Sequence, residues 1–335
     1  MLIQRLCFAL TAFLATGLFA QTNAADVPQL VSAKKIWNAD KHNAFTDLIR
    51  FQDKWFCTFR ESAAHVGGNG KIRVLVSKDG EQWESAALLS EEGIDLRDPK
   101  LSIMPDGRLM LVLGGSVYEG KTLKERQSRT AFSKDGYTWT SPRRVLEKGD
   151  WLWRVTWNNG VAYGIAYTSV KGGGMTVKLV SSKDGVNFQL VTNLDVPAAP
   201  NESTLRFREN GECIALVRRE AEDKQAWIGH SFAPYKDWKW HPAAMQIGGP
   251  NFLLLPDGKM IASGRKYGAT SKDAKTFVGK MALDLVLPEL ILPSGGDCSY
   301  AGMAMHEGLL WLSYYSSHED KTSIYLAKVK LPKTK

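Results

Sequence analysis

Cysteine is scarce in this chain, with four in 335 residues. Cys7 falls in the apolar N-terminal stretch, and Cys57, Cys213 and Cys298 are spread too widely for a disulfide framework or a zinc-ligand spacing. A single bridge among the three stays open, beside the simpler reading of buried thiols. After residue 24 no segment reaches the roughly 18 uninterrupted apolar residues that a spanning helix needs, which leaves no integral membrane segment in the mature chain. No run of Lys and Arg carries interleaved aromatics, so nucleic acid is not an expected partner. Calcium-loop, phosphate-loop, dinucleotide and His-rich metal signatures are also missing, and no cofactor is expected.

What is present begins with a leader. Arg5 supplies a positive start, Leu6 to Phe19 is apolar, and Thr22-Asn23-Ala24 resembles a small-residue cleavage site. Residues 1–24 therefore read as a secretory signal, and 25–335 as one mature domain, periplasmic or secreted. The formal charge of +8 drops by one with Arg5, to +7. Such a surplus would steer an anionic glycan or simply favour solubility.

One phrase then sets the architecture. Ser77-Lys78-Asp79-Gly80-Glu81-Gln82-Trp83 returns from Ser133 to Trp139, and again, ending in Phe, from Ser182 to Phe188. Asp-Gly forms a tight turn, Asp bonds nearby amides, and the aromatic packs over the turn. A second marker extends the period: turn pairs at Asp53-Lys54, Asp106-Gly107, Asn159-Gly160, Asn210-Gly211, Asp257-Gly258 and Glu307-Gly308 each separate two strand-like runs. A third strand precedes each Asp-Gly phrase and a fourth follows it. Repetition of four short strands about every 50 residues predicts an all-β, six-bladed β-propeller of four-stranded antiparallel blades. Blades should start near residues 44, 96, 151, 200, 250 and 298. Residues 27–38 are left to supply the outer strand of the last blade and close the ring, which removes an exposed sheet edge. Ser271-Lys272-Asp273 echoes the phrase but lacks its Gly, and is set aside as chance.

Inner strands of a propeller converge on the axis, so polar residues at their starts share one pit. Those residues are Asp47, Arg97-Asp98, Arg154, Glu202, Asn251, Asp297 and Tyr300. Arginines and carboxylates there either pair to fill the tunnel or present a fork to an anionic sugar. Trp151 and Trp153 suit a sugar-stacking wall, and equally suit core.

The Ser-x-Asp-x-Gly-x-x-Trp phrase resembles the Asp-box of sialidases, six-bladed propellers in which it marks fold more than activity. Asn201-Glu202-Ser203 followed by Arg218 resembles that family's catalytic Glu and substrate-binding Arg. Tyr300-Ala301-Gly302-Met303 with Tyr314-Tyr315 is similar to its nucleophile segment, and Asp98-Pro99 to the start of its second blade. The resemblance implies that Glu202 takes the proton of Tyr300 while Arg218 holds a substrate carboxylate. A neutral phenol suits a sugar that bears its own carboxylate, because a carboxylate nucleophile would be repelled. Phenol is weak at its ordinary pKa near 10 and needs a base beside it. The chain departs from the family in three places. Phe45-Thr46-Asp47-Leu48 lacks the first clamp arginine; the third has only Arg265 as its nearest match; and the loop from Glu61 to Gly70 contains no Asp to act as acid/base. Glu61 or His65 would then donate the proton, and Arg97, Arg154 or Arg60 would rebuild the clamp.

The expectation is an exo-acting glycoside hydrolase of sialidase type, acting on a terminal acidic sugar of a glycan or glycoconjugate. Catalysis falls to Tyr300, Glu202 and Glu61 or His65, and binding to Arg218, Arg97, Asp98, Arg154, Arg60, Arg265 and Asp47. Rival classes are a non-catalytic glycan-binding propeller, a polysaccharide lyase using Tyr300 and His65 on a uronic acid, and a purely structural propeller. The sugar, the linkage and the oligomeric state are not written in the sequence.

Overall fold

The computed structural model describes residues 27–169 and 174–332. The leader expected at 1–24 lies outside the described residues.

Every blade is a four-stranded antiparallel sheet, and there are six. Their inner strands are His42–Phe51, Asp95–Ile103, Trp151–Asn158, Pro200–Phe207, Ile247–Leu254 and Cys298–His306. Each packs against the inner strands of the blades on either side, and the sixth meets the first. The ring closes as expected: Gln29–Trp37 pairs antiparallel with the chain's last strand, Ser323–Lys330, in the sheet that begins at Cys298. No helix among the described residues is long and apolar enough to cross a membrane. Cys57, Cys213 and Cys298 are free, buried thiols.

The repeated phrase folds three times in the same way. In the second blade Ser133 Oγ accepts the Gly136 amide at 2.8 Å, and Asp135 Oδ1 accepts the amides of Tyr137 and Thr138, each at 2.8 Å. The Trp139 indole N–H then caps the Gly136 carbonyl at 3.0 Å. Each glycine has φ near +75° and lies flat on a side chain of the preceding blade: Gly80 on Trp311, Gly136 on Phe56 and Gly185 on Met110. The phrase is therefore an inter-blade joint as well as a turn. A fourth, degenerate copy escapes the sequence pattern. Ser231 begins it, Tyr235 occupies the positive-φ position at +61°, and the Trp238 indole donates to the Tyr235 carbonyl at 3.0 Å. Ser271–Asp273 is a single 3-10 turn and no part of the series.

Apolar alternation fills the space between blades. Trp55 stacks on Trp311 at 4.5 Å across the first and sixth blades, and one large cluster runs from Phe45 and Trp153 at the axis outward to Leu205 and Tyr235.

Candidate active site

A β-bulge near the start of every inner strand builds the pit. In each, two residues of the inner strand oppose one of its neighbour: 45–46, 98–99, 153–154, 201–202, 249–250 and 300–301. A bulge breaks the in-and-out alternation and re-aims side chains, here toward the axis. Phe45, Asp98 and Tyr300 all sit at positive φ, between +52° and +66°, a conformation L residues hold only when the surroundings enforce it. Pro99 and Pro250 fall in bulges, where a missing N–H costs no ladder bond.

Tyr300, Glu202 and Arg218 meet at the floor. The Tyr300 hydroxyl donates to Glu202 Oε1 at 2.6 Å, and Arg218 Nη1 donates to Glu202 Oε2 at 2.8 Å and to the Tyr300 oxygen at 3.1 Å. Arg218 is the residue opposite the bulge that carries Glu202, which explains their contact. The Gly249 amide adds a third donor to Glu202 at 2.8 Å, and a side chain at 249 would strike the Tyr300 ring. Burial works to raise the Glu202 pKa, but the charge of Arg218 and these hydrogen bonds outweigh it, so the group sits below its ordinary value and is ionised. Burial, with the Glu202 charge beside it, pushes the Tyr300 phenol well above 10. The resting pair is carboxylate and neutral phenol.

Several other expected site residues pair with one another. Asp47 receives Arg154 in a two-pronged contact at 2.9–3.1 Å and also accepts the Leu101 amide. Arg60, wholly buried, donates to Asp95 Oδ1 at 2.7 Å. Glu61 accepts from Arg73 at 2.6 Å and from the Trp37 indole at 2.9 Å, and it does not line the pit. Arg265 donates to Asp297 at 3.1 Å and to Tyr315 at 2.8 Å. Arg154, Arg60, Arg218 and Arg265 all stand outside the lining of the cavity.

That cavity, about 190 Å³, is lined by Phe45, His65, Arg97, Asp98, Glu202 and Tyr300, and on its far side by Ser116, Tyr118, Arg126, Trp151 and Tyr167. Asp98 accepts no hydrogen bond among the described residues, and burial raises its pKa against the pull of Arg97 and Lys100. His65 donates from Nδ1 to Asp297 Oδ2 at 2.7 Å, which leaves Nε2 free. His42 Nε2 lies 3.0 Å from the same oxygen. These two histidines and Asp297 group as metal ligands do. Yet Arg60 approaches His42 Nδ1 at 3.5 Å and can only donate, so the ring proton belongs on Nε2. With Arg265 and Tyr315 also donating to Asp297, the cluster is a saturated hydrogen-bond set and a poor fit for a cation.

Sequence reasoning missed Arg126, Tyr118, Ser116 and Tyr167, because they sit on second and third strands rather than at inner-strand starts. Beneath the floor, Lys100 was also missed: buried, it donates to the Thr46 carbonyl at 3.0 Å and lies 4.7 Å over the Trp153 ring. A larger groove, about 870 Å³, opens at the hairpin-turn end of the fifth and sixth blades, the far end of the inner strands from the bulges. Lys280 pairs with Glu289 through Oε1 and Lys259 with Asp257, Glu289 Oε2 has no hydrogen-bond partner among the described residues, and the wall is mostly apolar.

No protein-family model and no curated protein matches this chain. Solved structures do. A Dyadobacter fermentans protein of unknown function superposes with a TM-score of 0.78 at 18% identity, over 91% of this chain and 99% of that one. Trypanosoma rangeli sialidase, bound to the inhibitor DANA, gives 0.64 at 11% identity over 90% of this chain. This chain spans 58% of that sialidase. Penicillium chrysogenum alpha-L-arabinanase, complexed with arabinobiose, gives 0.66 at 14% identity, over 89% of this chain and 98% of that one. This chain shares its six-bladed propeller fold with that sialidase and that arabinanase.

Proposed function

We propose that the protein is an exo-acting glycoside hydrolase that removes a terminal sugar through a tyrosine nucleophile. The observation that carries this reading is the 2.6 Å contact from the Tyr300 hydroxyl to an ionised, buried Glu202. A phenol held neutral gains nucleophilicity only as its proton leaves, and Glu202 is placed to take it. As Tyr300 Oη bonds to the anomeric carbon, the bond to the leaving oxygen breaks and that oxygen receives a proton. Arg218, touching both partners, steadies the negative charge that passes between them. His65 is the proton donor this reading assigns: it lines the cavity, Asp297 orients its ring through Nδ1, and as the imidazolium it carries on Nε2 the proton that the leaving oxygen takes. Water then attacks the anomeric carbon and gives a proton to His65, while the bond to Tyr300 Oη breaks and that oxygen takes its proton back from Glu202. The cavity is below the roughly 300 Å³ at which ordinary ligand pockets begin, which suits one terminal residue better than a stretch of chain. Glycosidases are among the proteins that share the fold, and that likeness supports the class without fixing the sugar.

A panel of fluorogenic sialosides, uronides and arabinosides tests the proposal. Wild type should cleave at least one, and Glu202→Gln should lower kcat by about 10²- to 10⁴-fold, the range for loss of a general base. Release of an unsaturated, ultraviolet-absorbing product from a uronide would instead assign a lyase. Full activity in Glu202→Gln would remove the base from the mechanism.

A further inference from the structure

We infer that Arg97 and Arg126, both on the second blade, form an anion subsite that takes the carboxylate of the terminal sugar. The inference rests on the pit being the substrate site. It emerges from the way charges around the axis are already paired. Arg154 is held by Asp47, Arg265 by Asp297, and Arg218 by Glu202 and Glu220. None of the three lines the cavity. A carboxylate docking on any of them would have to compete with a fixed protein carboxylate.

The second blade is different. Two carboxylates of this blade stand near the pit: Asp98, which acts on Arg97 through its charge without a hydrogen bond among the described residues, and Asp95, whose Oδ1 is taken by Arg60 and the Gly70 amide. Arg97 reaches only Oδ2, at 3.2 Å, and the Tyr118 hydroxyl at 3.3 Å, both through Nη1. Its Nε and Nη2 have no protein partner among the described residues. Among the described residues Arg126 forms no ion pair: Nε donates to the Gly149 carbonyl at 3.0 Å and Nη2 to Ser169 at 3.3 Å, and Nη1 has no hydrogen-bond partner among them. Both guanidinium groups lie against aromatic faces, Arg97 at 5.1 Å over Phe45 and Arg126 at 4.9 Å over Tyr167. Stacking fixes their planes without neutralising their charge.

Strand pairing explains why both reach one cavity. Asp95 pairs with Ser116, which pairs with Arg126, and Arg97 lies two residues from Asp95, so all four share a face of the blade. Ser116 and Tyr118, also in the lining, add hydroxyl donors. On the first blade the bulge holds Phe45 and Thr46 and no arginine, and the Phe45 ring supports Arg97. An acidic sugar is thus expected to turn its carboxylate toward the second blade, away from Arg218.

Binding to the Tyr300→Phe protein tests this without turnover. The probes are N-acetylneuraminate, glucuronate and galacturonate, with galactose and arabinose as neutral controls, measured by titration calorimetry. At least one acid should bind, and Arg126→Met should weaken it roughly 10- to 100-fold, as expected for losing a charge-assisted hydrogen bond. Neutral sugars should be unaffected, and Arg126→Lys should recover part of the loss. Unchanged acid binding in Arg126→Met, with loss in Arg265→Met instead, overturns the subsite, as does a failure of every acid to bind. An acid held through Arg126 but never cleaved supports the subsite and defeats the hydrolase reading. A neutral glycoside cleaved through Tyr300 while no acid binds does the reverse.

Discussion

Glu202 and Tyr300 share one short hydrogen bond but have opposite electrostatic fates. Both are buried, which penalises any charge, yet three donors converge on Glu202 and the burden of neutrality falls on the phenol. That division was legible in the sequence only as spacing between Glu202, Arg218 and Tyr300. The roles of the other arginines were not, because whether a guanidinium is spent on a protein carboxylate depends on contacts between blades. Lys100 offers a separate test at this scale. Burial depresses its pKa from 10.5 to about 8, so below pH 8 it is charged in both the folded and the unfolded chain and folding bears the full penalty. Between pH 8 and 10.5 the unfolded chain holds the proton and the folded chain does not, so stability rises with pH across that window. Wild type should therefore gain on Lys100→Met by up to about 3 kcal/mol between pH 8 and 10.5, measured by urea unfolding of the two proteins side by side. A constant difference across the window would mean that Lys100 keeps its ordinary pKa.

At the scale of the element, the bulge explains what the sequence could and could not reveal. Alternation of apolar residues and paired turn residues marked the hairpins, so strand order and blade number were readable. A two-against-one bulge leaves no local signature, since Phe45, Asp98, Trp153, Asn201, Gly249 and Tyr300 share no residue type. Its presence in all six blades is what lets a strand built for alternation aim successive side chains at the axis. The Ser-x-Asp-Gly phrase was readable because its chemistry is local, but its contact with the preceding blade was not. Gly136 meets Phe56 so closely that an added Cβ would lie 2.2 Å from the ring, and its φ of +80° disfavours any side chain. Gly136→Ala is expected to cost roughly 1–3 kcal/mol in urea unfolding, from backbone strain together with displacement of Phe56. A cost below about 0.5 kcal/mol, the size of an ordinary surface substitution, would show that the joint carries no load.

For the whole molecule, closure decides whether six sheets hold one pit. Gln29–Trp37 completes the sixth blade beside Ser323–Lys330, and the bulges at 45–46 and 300–301 meet across that seam: Thr46 Oγ1 donates to the Tyr300 carbonyl at 2.9 Å. Deleting residues 29–37 would bare the edge of the Ser323–Lys330 strand and loosen the seam beside Tyr300. The truncated chain should melt at lower temperature and associate through the bared strand, seen as a shift to larger species in size-exclusion chromatography. A monomer with unchanged melting would contradict the ring-closing role. The proposed class of reaction requires Tyr300 to form a bond to sugar, and mass spectrometry can see such a bond. Wild type would be reacted with fluorinated, slowly released glycosyl fluorides of the acidic and neutral sugars in the panel, then digested. A glycosyl adduct is expected on the peptide containing Tyr300 and should be absent from Tyr300→Phe. An adduct on another residue, or rapid turnover by Tyr300→Phe, would contradict that class.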